Sequence, residues 1–184
     1  MERIMIYPYT RAYEPYVRYA GLLENREIVS LVSSGGSGLV GRQVCSGEKE
    51  LTVSKDYEAE LNRCDGVWFV NDEKFALPED AVEEKIRKAV LQGKKILCTR
   101  TSFRDSARIA DSIPSELQML PQEPDLKKDM LGAEYCYHID TPVLVVYGTE
   151  RDTDKLAVQL ALREELMRIG YKVASISSRM DGRL

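Results

Sequence analysis

Short apolar runs rich in β-branched and aromatic residues alternate along this chain with stretches whose apolar residues recur every three to four positions. That alternation is the signature of parallel strands joined by crossover helices. It predicts an α/β fold: a Rossmann-like or P-loop-like three-layer arrangement around a mainly parallel sheet of about six strands. Strands are expected over residues 3–7, where Pro8 removes a backbone donor, and over 27–33, 66–70, 95–99, 142–147 and 171–177. Helices are expected over 14–24, 56–64, 81–92, 103–113 and 155–169, those over 81–92 and 155–169 closed by Gly93 and Gly170 as C-terminal caps. Residues 42–55 give weak signals, with a short extended piece around 51–53.

The chain's 184 residues fit one compact unit. Residues 115–141, with Pro121, Pro124 and a mixed charge run, are the least regular region. This divides the chain into a Rossmann-like module over 1–120, an irregular connection over 121–141, and a strand-loop-helix-strand unit over 142–184. That last unit resembles the start of a P-loop domain and is expected to pack on the same sheet. With 26 basic against 30 acidic side chains and a net charge of -4, the composition lacks the basic excess of a nucleic-acid partner. The longest apolar runs fall far short of the roughly 20 residues that cross a bilayer, and no secretory leader opens the chain, so a cytoplasmic protein without a membrane partner is expected. Cys45, Cys64, Cys98 and Cys136 lie too far apart for a metal-binding pair and read as reduced structural thiols. With His138 as the single histidine, no metal site is assigned.

Two loops carry candidate chemistry. The first runs from Gly148 through Thr149, Glu150, Arg151, Asp152, Thr153 and Asp154 to Lys155. An expected strand feeding a glycine turn and a lysine at a helix start is the geometry that cradles phosphate, because loop and helix N–H groups point at the anion. Gly148, Thr149, Arg151, Thr153 and Lys155 are therefore the candidate nucleotide-phosphate residues. The spacing departs from the ordinary Walker pattern, and Leu156 stands where a magnesium-binding hydroxyl is expected, which argues against magnesium and efficient hydrolysis. The alternative for this loop is a polar turn capped by Asp152, Thr153 or Asp154, with Lys155 in solvent.

The second loop holds Gly36, Gly38 and Gly41, a literal G-x-G-x-x-G after a strand. Ser46 and Gly47 interrupt any helix opening there, and no strand ending in an acid follows at the right distance, so a loop at the sheet's C-terminal edge fits better than a dinucleotide fingerprint. Such an edge loop still reaches a ligand. Tyr7, Tyr9, Tyr13, Tyr16 and Tyr19 cluster near the first strand's end and read either as a stacking rim or as amphipathic packing with an oligomer surface. Asn71 to Lys74 and Thr99 to Ser102 are polar segments just after strands.

Residues 148–155 also resemble the modified phosphate loop of the dethiobiotin synthetase group, with Gly148, Thr149, Glu150 and Lys155 in matching places. The opening Ile6, Tyr7, Pro8, Tyr9 and Thr10, the strand and glycine loop over 28–38, and the block from Gly148 to Val173 together resemble the peptide maturation system proteins that accompany natural-product peptide clusters. That resemblance implies an accessory protein of such a pathway, with peptides or pathway enzymes as partners; the loop over 148–155 adds to it the expectation of nucleotide or phosphate binding without efficient turnover. It carries over no catalytic residue. Members continue past the strand after the phosphate-loop helix, so an end at Leu184 is expected to mark a truncated chain or a short member. Two other readings stand beside this one: an ATP-dependent small-molecule ligase resembling dethiobiotin synthetase, and a non-catalytic interaction module docking peptides through the tyrosines.

Overall fold

The computed structural model describes residues 1–23, 25–70, 77–98, 140–150 and 153–175. Six strands form one sheet: β1 (Glu2–Tyr7), β2 (Arg26–Val32), β3 (Gln43–Ser46), β4 (Lys49–Ser54), β5 (Gly66–Phe69) and β6 (Lys95–Cys98), in the spatial order β3-β4-β2-β1-β5-β6. Every neighbouring pair is parallel except β3 with β4, which form a hairpin turning at Gly47 (φ 59). The helices are α1 (Glu14–Arg18), α2 (Tyr57–Leu61), α3 (Glu79–Leu91) and α4 (Lys155–Arg168), with helical turns at Arg11–Tyr13 and Ala20–Leu22. This is the expected mainly parallel, Rossmann-like α/β architecture.

The period-two alternation of the strands sorts the core into two layers. Ile4 and Ile6 of β1, Trp68 of β5 and Leu97 of β6 face the layer of Tyr13, Tyr16 and Val17, against which α4 packs Leu156 and Leu160. Met5 and Tyr7, Val67 and Phe69, and Ile96 face the other layer, with Tyr57 and Leu61 of α2 and Val82, Ile86 and Ala89 of α3. A bulge in β2 interrupts the alternation: Ile4 pairs with Ile28 but Met5 with Ser30, leaving Val29 as the extra residue. Val29 and Ser30 therefore share the α2 side, where the Ser30 hydroxyl donates to Glu60 Oε2 at 2.5 Å.

Several expectations change. The hairpin β3–β4 supplies two of the six strands, whereas residues 142–147 are in no strand: Val143, Leu144, Val145 and Tyr147 are exposed. β propensity measures fit to a pleated, half-buried surface, and without a neighbouring strand those residues have no ladder to join. Residues 171–175 are likewise outside the sheet; residues 176 and 177, and the expected helix over 103–113, lie outside the described residues. Of the two readings of the tyrosines, packing holds and the stacking rim does not, with Tyr19 half-buried. Tyr7, Tyr9, Tyr13 and Tyr16 are buried, and the rings of Tyr13 and Tyr16 meet Trp68 edge-on at 5.7 and 5.3 Å. Aromatic side chains bury more apolar area than most others, so a core layer is where these rings stabilise most. Among the described cysteines, Cys64 is buried and Cys45 exposed, both as free thiols.

Candidate functional site at the sheet edge

The strand order reverses at β1: the chain leaves it toward β2 and β4 on one side and returns to β5 and β6 on the other. Helices from these two halves lie on opposite faces, so their connections diverge above the C-terminal ends of the strands, the place where open α/β sheets hold ligands. Two segments border that point among the described residues. One is the exit from β1 through Pro8, Tyr9, Thr10 and Arg11. The other is the glycine-rich loop after β2.

Backbone and side-chain bonds join them. Tyr9 N–H donates to the Val32 carbonyl at 2.7 Å, and the Ser33 hydroxyl donates to the Tyr9 carbonyl at 2.8 Å. Ser33 Oγ also lies 2.8 Å from Ser37 Oγ, which accepts from Leu39 N–H at 3.2 Å. Leu39 is anchored in the α1 layer. The loop is thus a fixed turn, and no helix opens from it.

Thr10 sits at this junction with extended backbone, immediately before the helical turn, in the position where a threonine hydroxyl ordinarily caps the turn. It makes no cap bond. The residue is 4% exposed and its buried Oγ1 has no hydrogen-bond partner among the described residues. A buried hydroxyl left unsatisfied costs about 1–3 kcal/mol, so this group is arranged at the fold's expense. Tyr9 beside it is fully buried with its hydroxyl also unpartnered, and burial, then Glu14, push that hydroxyl up to about 12, against the pull of Arg42, Arg11 and Arg18. Glu14 itself is held by Arg18 at 3.3 Å and Arg42 at 3.1 Å.

The glycines of the loop divide into two kinds. Gly38 (φ 67) and Gly41 (φ 84) need the left-handed region. Gly35 and Gly36 do not have positive φ, and a Cβ on either meets nothing within 4 Å. Neither backbone conformation nor packing asks for glycine at those two positions. Among the described residues the N–H groups of Ser34, Gly35 and Gly36 have no acceptor.

The other predicted loop is arranged differently. Lys155 reaches back over it: its ammonium donates to the Glu150 carbonyl and lies 3.1 Å from the Thr153 hydroxyl, which itself donates to the same carbonyl at 3.1 Å. A Cβ on Gly148 would fall 2.1 Å from Thr153 Oγ1 and 2.6 Å from Lys155 Cδ, so these two side chains cover Gly148. Asp154 stands at the N-cap of α4 in the left-handed region (φ 47) without a side-chain cap bond. Arg151 and Asp152 lie outside the described residues, as do the polar segments over 71–74 and 99–102. The structure therefore brings Gly148, Thr153 and Lys155 together, and separately places Gly36 in the loop that Ser33 ties to the exit of β1. Sequence reasoning missed Thr10, Ser33 and Gly35; the readable signal was a threonine at a turn start and a Ser-Ser-Gly-Gly run directly after a strand.

Among the described residues no group of acidic, cysteine or histidine side chains is placed to hold a metal ion, and no helix is long and apolar enough to cross a membrane. The fold and its edge define an α/β protein of Rossmann-like architecture. No protein-family model matches the chain, and no curated protein does. Among solved structures it is similar to a DUF1611 family protein from Anabaena variabilis, with 13% identity, 68% of this chain and 38% of that one covered, and a TM-score of 0.49. It is also similar to an NAD-binding protein from Listeria innocua, with 20% identity, 60% and 32% covered, and a TM-score of 0.40. The chain spans well under half the length of either.

Proposed function

We propose that the protein binds a nucleotide or another small phosphate-bearing molecule at the C-terminal edge of its sheet, as an accessory protein of a peptide-maturation pathway, without efficient hydrolysis. The observation that carries the binding site is the strand-order reversal at β1, where the exit of β1 and the open glycine loop after β2 are tied together through the Tyr9–Val32 and Ser33–Tyr9 bonds. Open α/β sheets hold their ligands at such an edge. The pathway rests on the resemblance of residues 6–10, 28–38 and 148–173 to peptide maturation system proteins. Absence of turnover rests on Leu156 and on the engagement of Lys155 with a carbonyl of its own loop.

Amide NMR titration of the full chain with ATP, GTP and AMP tests the site. The expected result is movement of the Thr10 amide and those of residues 34–37 as ligand is added. No movement at millimolar ligand defeats the proposal. A second reading places the phosphate on the other loop, favoured by the convergence of Thr153 and Lys155 over Gly148 beside a helix start that no side chain caps. In that case the Gly148 and Thr149 amides move and those of 34–37 stay still.

A further inference from the structure

Four charged side chains gather where the two edge segments end. The exit of β1 runs through Arg11 into a helical turn that continues directly into α1. Residues 11, 14 and 18 follow at spacings of three and four, which lines Arg11, Glu14 and Arg18 along one side of that short helical stretch. The glycine loop after β2 closes at Arg42, whose backbone N–H donates to the Leu39 carbonyl at 3.0 Å just before β3 begins. Arg42 Nη2 donates to Glu14 Oε2 at 3.1 Å and lies 3.5 Å from Oε1, and Arg18 Nη2 donates to that same Oε1 at 3.3 Å. Two guanidinium groups from separate segments therefore meet at one carboxylate. Arg11 is exposed and forms no ion pair among the described residues. Besides its burial, the Tyr9 hydroxyl feels all four charges, Glu14 raising its hold on the proton and Arg42, Arg11 and Arg18 lowering it, so the four surround one point.

Three guanidinium groups against one carboxylate make this a positive patch on a chain whose net charge is -4. The side chains of Arg42 and Arg18 are 39% and 58% accessible. Exposed ion pairs add little to stability, and like charges drawn to one carboxylate repel each other, so folding alone does not account for the arrangement. Each of the two paired arginines touches Glu14 through Nη2 only, leaving the rest of a planar fork that matches phosphate oxygens. A single carboxylate such as Glu14 leaves the patch positive, whereas a chain of two or three phosphates carries enough charge to match it. Resting on the sheet-edge reading for the phosphate-bearing class of ligand alone, we infer that Arg11, Arg18 and Arg42 hold a di- or triphosphate chain, and that Glu14 is the resident counter-ion which this chain displaces.

The test is calorimetry on the full chain with pyrophosphate, ATP, AMP and adenosine, at low and at raised salt, for the native protein, Arg42→Gln and Glu14→Gln. Melting temperatures check that both variants fold. ATP or pyrophosphate, or both, should bind at least about tenfold more tightly than AMP, with adenosine silent and the binding weakened by salt. ATP binding without pyrophosphate identifies a nucleotide as the source of the chain, and pyrophosphate binding as tightly as ATP shows that the phosphates alone are read. Arg42→Gln should lose about tenfold in affinity for whichever binds. Glu14→Gln deletes two ion pairs and should nevertheless tighten binding by about threefold or more, a direction that a merely structural Glu14 would not give. AMP binding as tightly as ATP, unchanged affinity in Arg42→Gln, or weaker binding in Glu14→Gln each overturns the arginine assignment; movement of the amides of residues 34–37 in the same samples then leaves the sheet-edge reading standing. Arginine-dependent binding with those amides unmoved keeps this assignment and removes the glycine loop from the site. If no compound binds the native chain or Glu14→Gln, both fall.

Discussion

The Ser33 hydroxyl donates to the Tyr9 carbonyl at 2.8 Å, tying the end of β2 to the exit of β1 just below the proposed ligand. Ser33 is 1% exposed, so Ser33→Ala leaves that carbonyl without its side-chain donor and takes from Ser37 one of its two partners, the Leu39 N–H remaining. The expected cost is about 1–2 kcal/mol, read as a lowered urea midpoint. Amide shifts confined to residues 9, 10 and 33–39 accompany it. Shifts spread through α3 instead would mean that the bond does not organise the edge.

Gly66 at the start of β5 is a glycine of a different sort from Gly36. A Cβ there meets Ile4 Cδ1 at 3.1 Å, the Lys95 carbonyl at 3.2 Å and Lys95 Cβ at 3.3 Å. Gly66→Ala overpacks a rigid strand junction and should destabilise by about 1–3 kcal/mol. Ile4→Val removes the atom nearest the new methyl, so the double variant should be more stable than the sum of its parts. Strict additivity in chemical denaturation would show that the clash lies with the Lys95 backbone alone.

Asp65 accepts from the Arg3 backbone N–H at 2.9 Å and from its guanidinium at 2.8 and 3.2 Å. The guanidinium hydrogen bond, then the backbone one, hold this carboxyl down at about 2. Its folded value lies below the ordinary aspartate value of about 3.9, so the unfolded chain takes up the proton first as pH falls. The pair's stabilisation is complete above about pH 5 and fades as pH drops toward about 2. Urea midpoints of the native chain and Asp65→Asn should converge over that window. A constant gap down to the lowest pH would assign the difference to something other than ionisation.

What the sequence disclosed follows from how local each signal was. β1, β2, β5 and β6 are buried on both faces and read as continuous apolar runs, and Asp56 signals its helix by accepting from Ala59 N–H. The β3–β4 hairpin escaped because an edge strand shows only half a pattern: Val44 turns inward while Gln43 and Cys45 face out. Residues 142–147 were over-read for the converse reason, since apolar, β-branched composition does not supply a neighbouring strand. The tyrosines could not be placed from spacing, because ring and hydroxyl suit either core or rim. Gly36 was legible as part of an edge loop. Thr10 was not, because whether a hydroxyl has a partner depends on every residue folded around it.

The extra valine in β2 has a bearing on that loop. Pairing with β1 is regular on either side of Val29, so the sheet could close neatly without it. What the additional residue contributes is local coiling of the strand, which sets the angle at which Leu31, Val32 and Ser33 leave the sheet. The course of the chain into the glycine loop thus carries the imprint of one residue packed on the α2 side of the sheet.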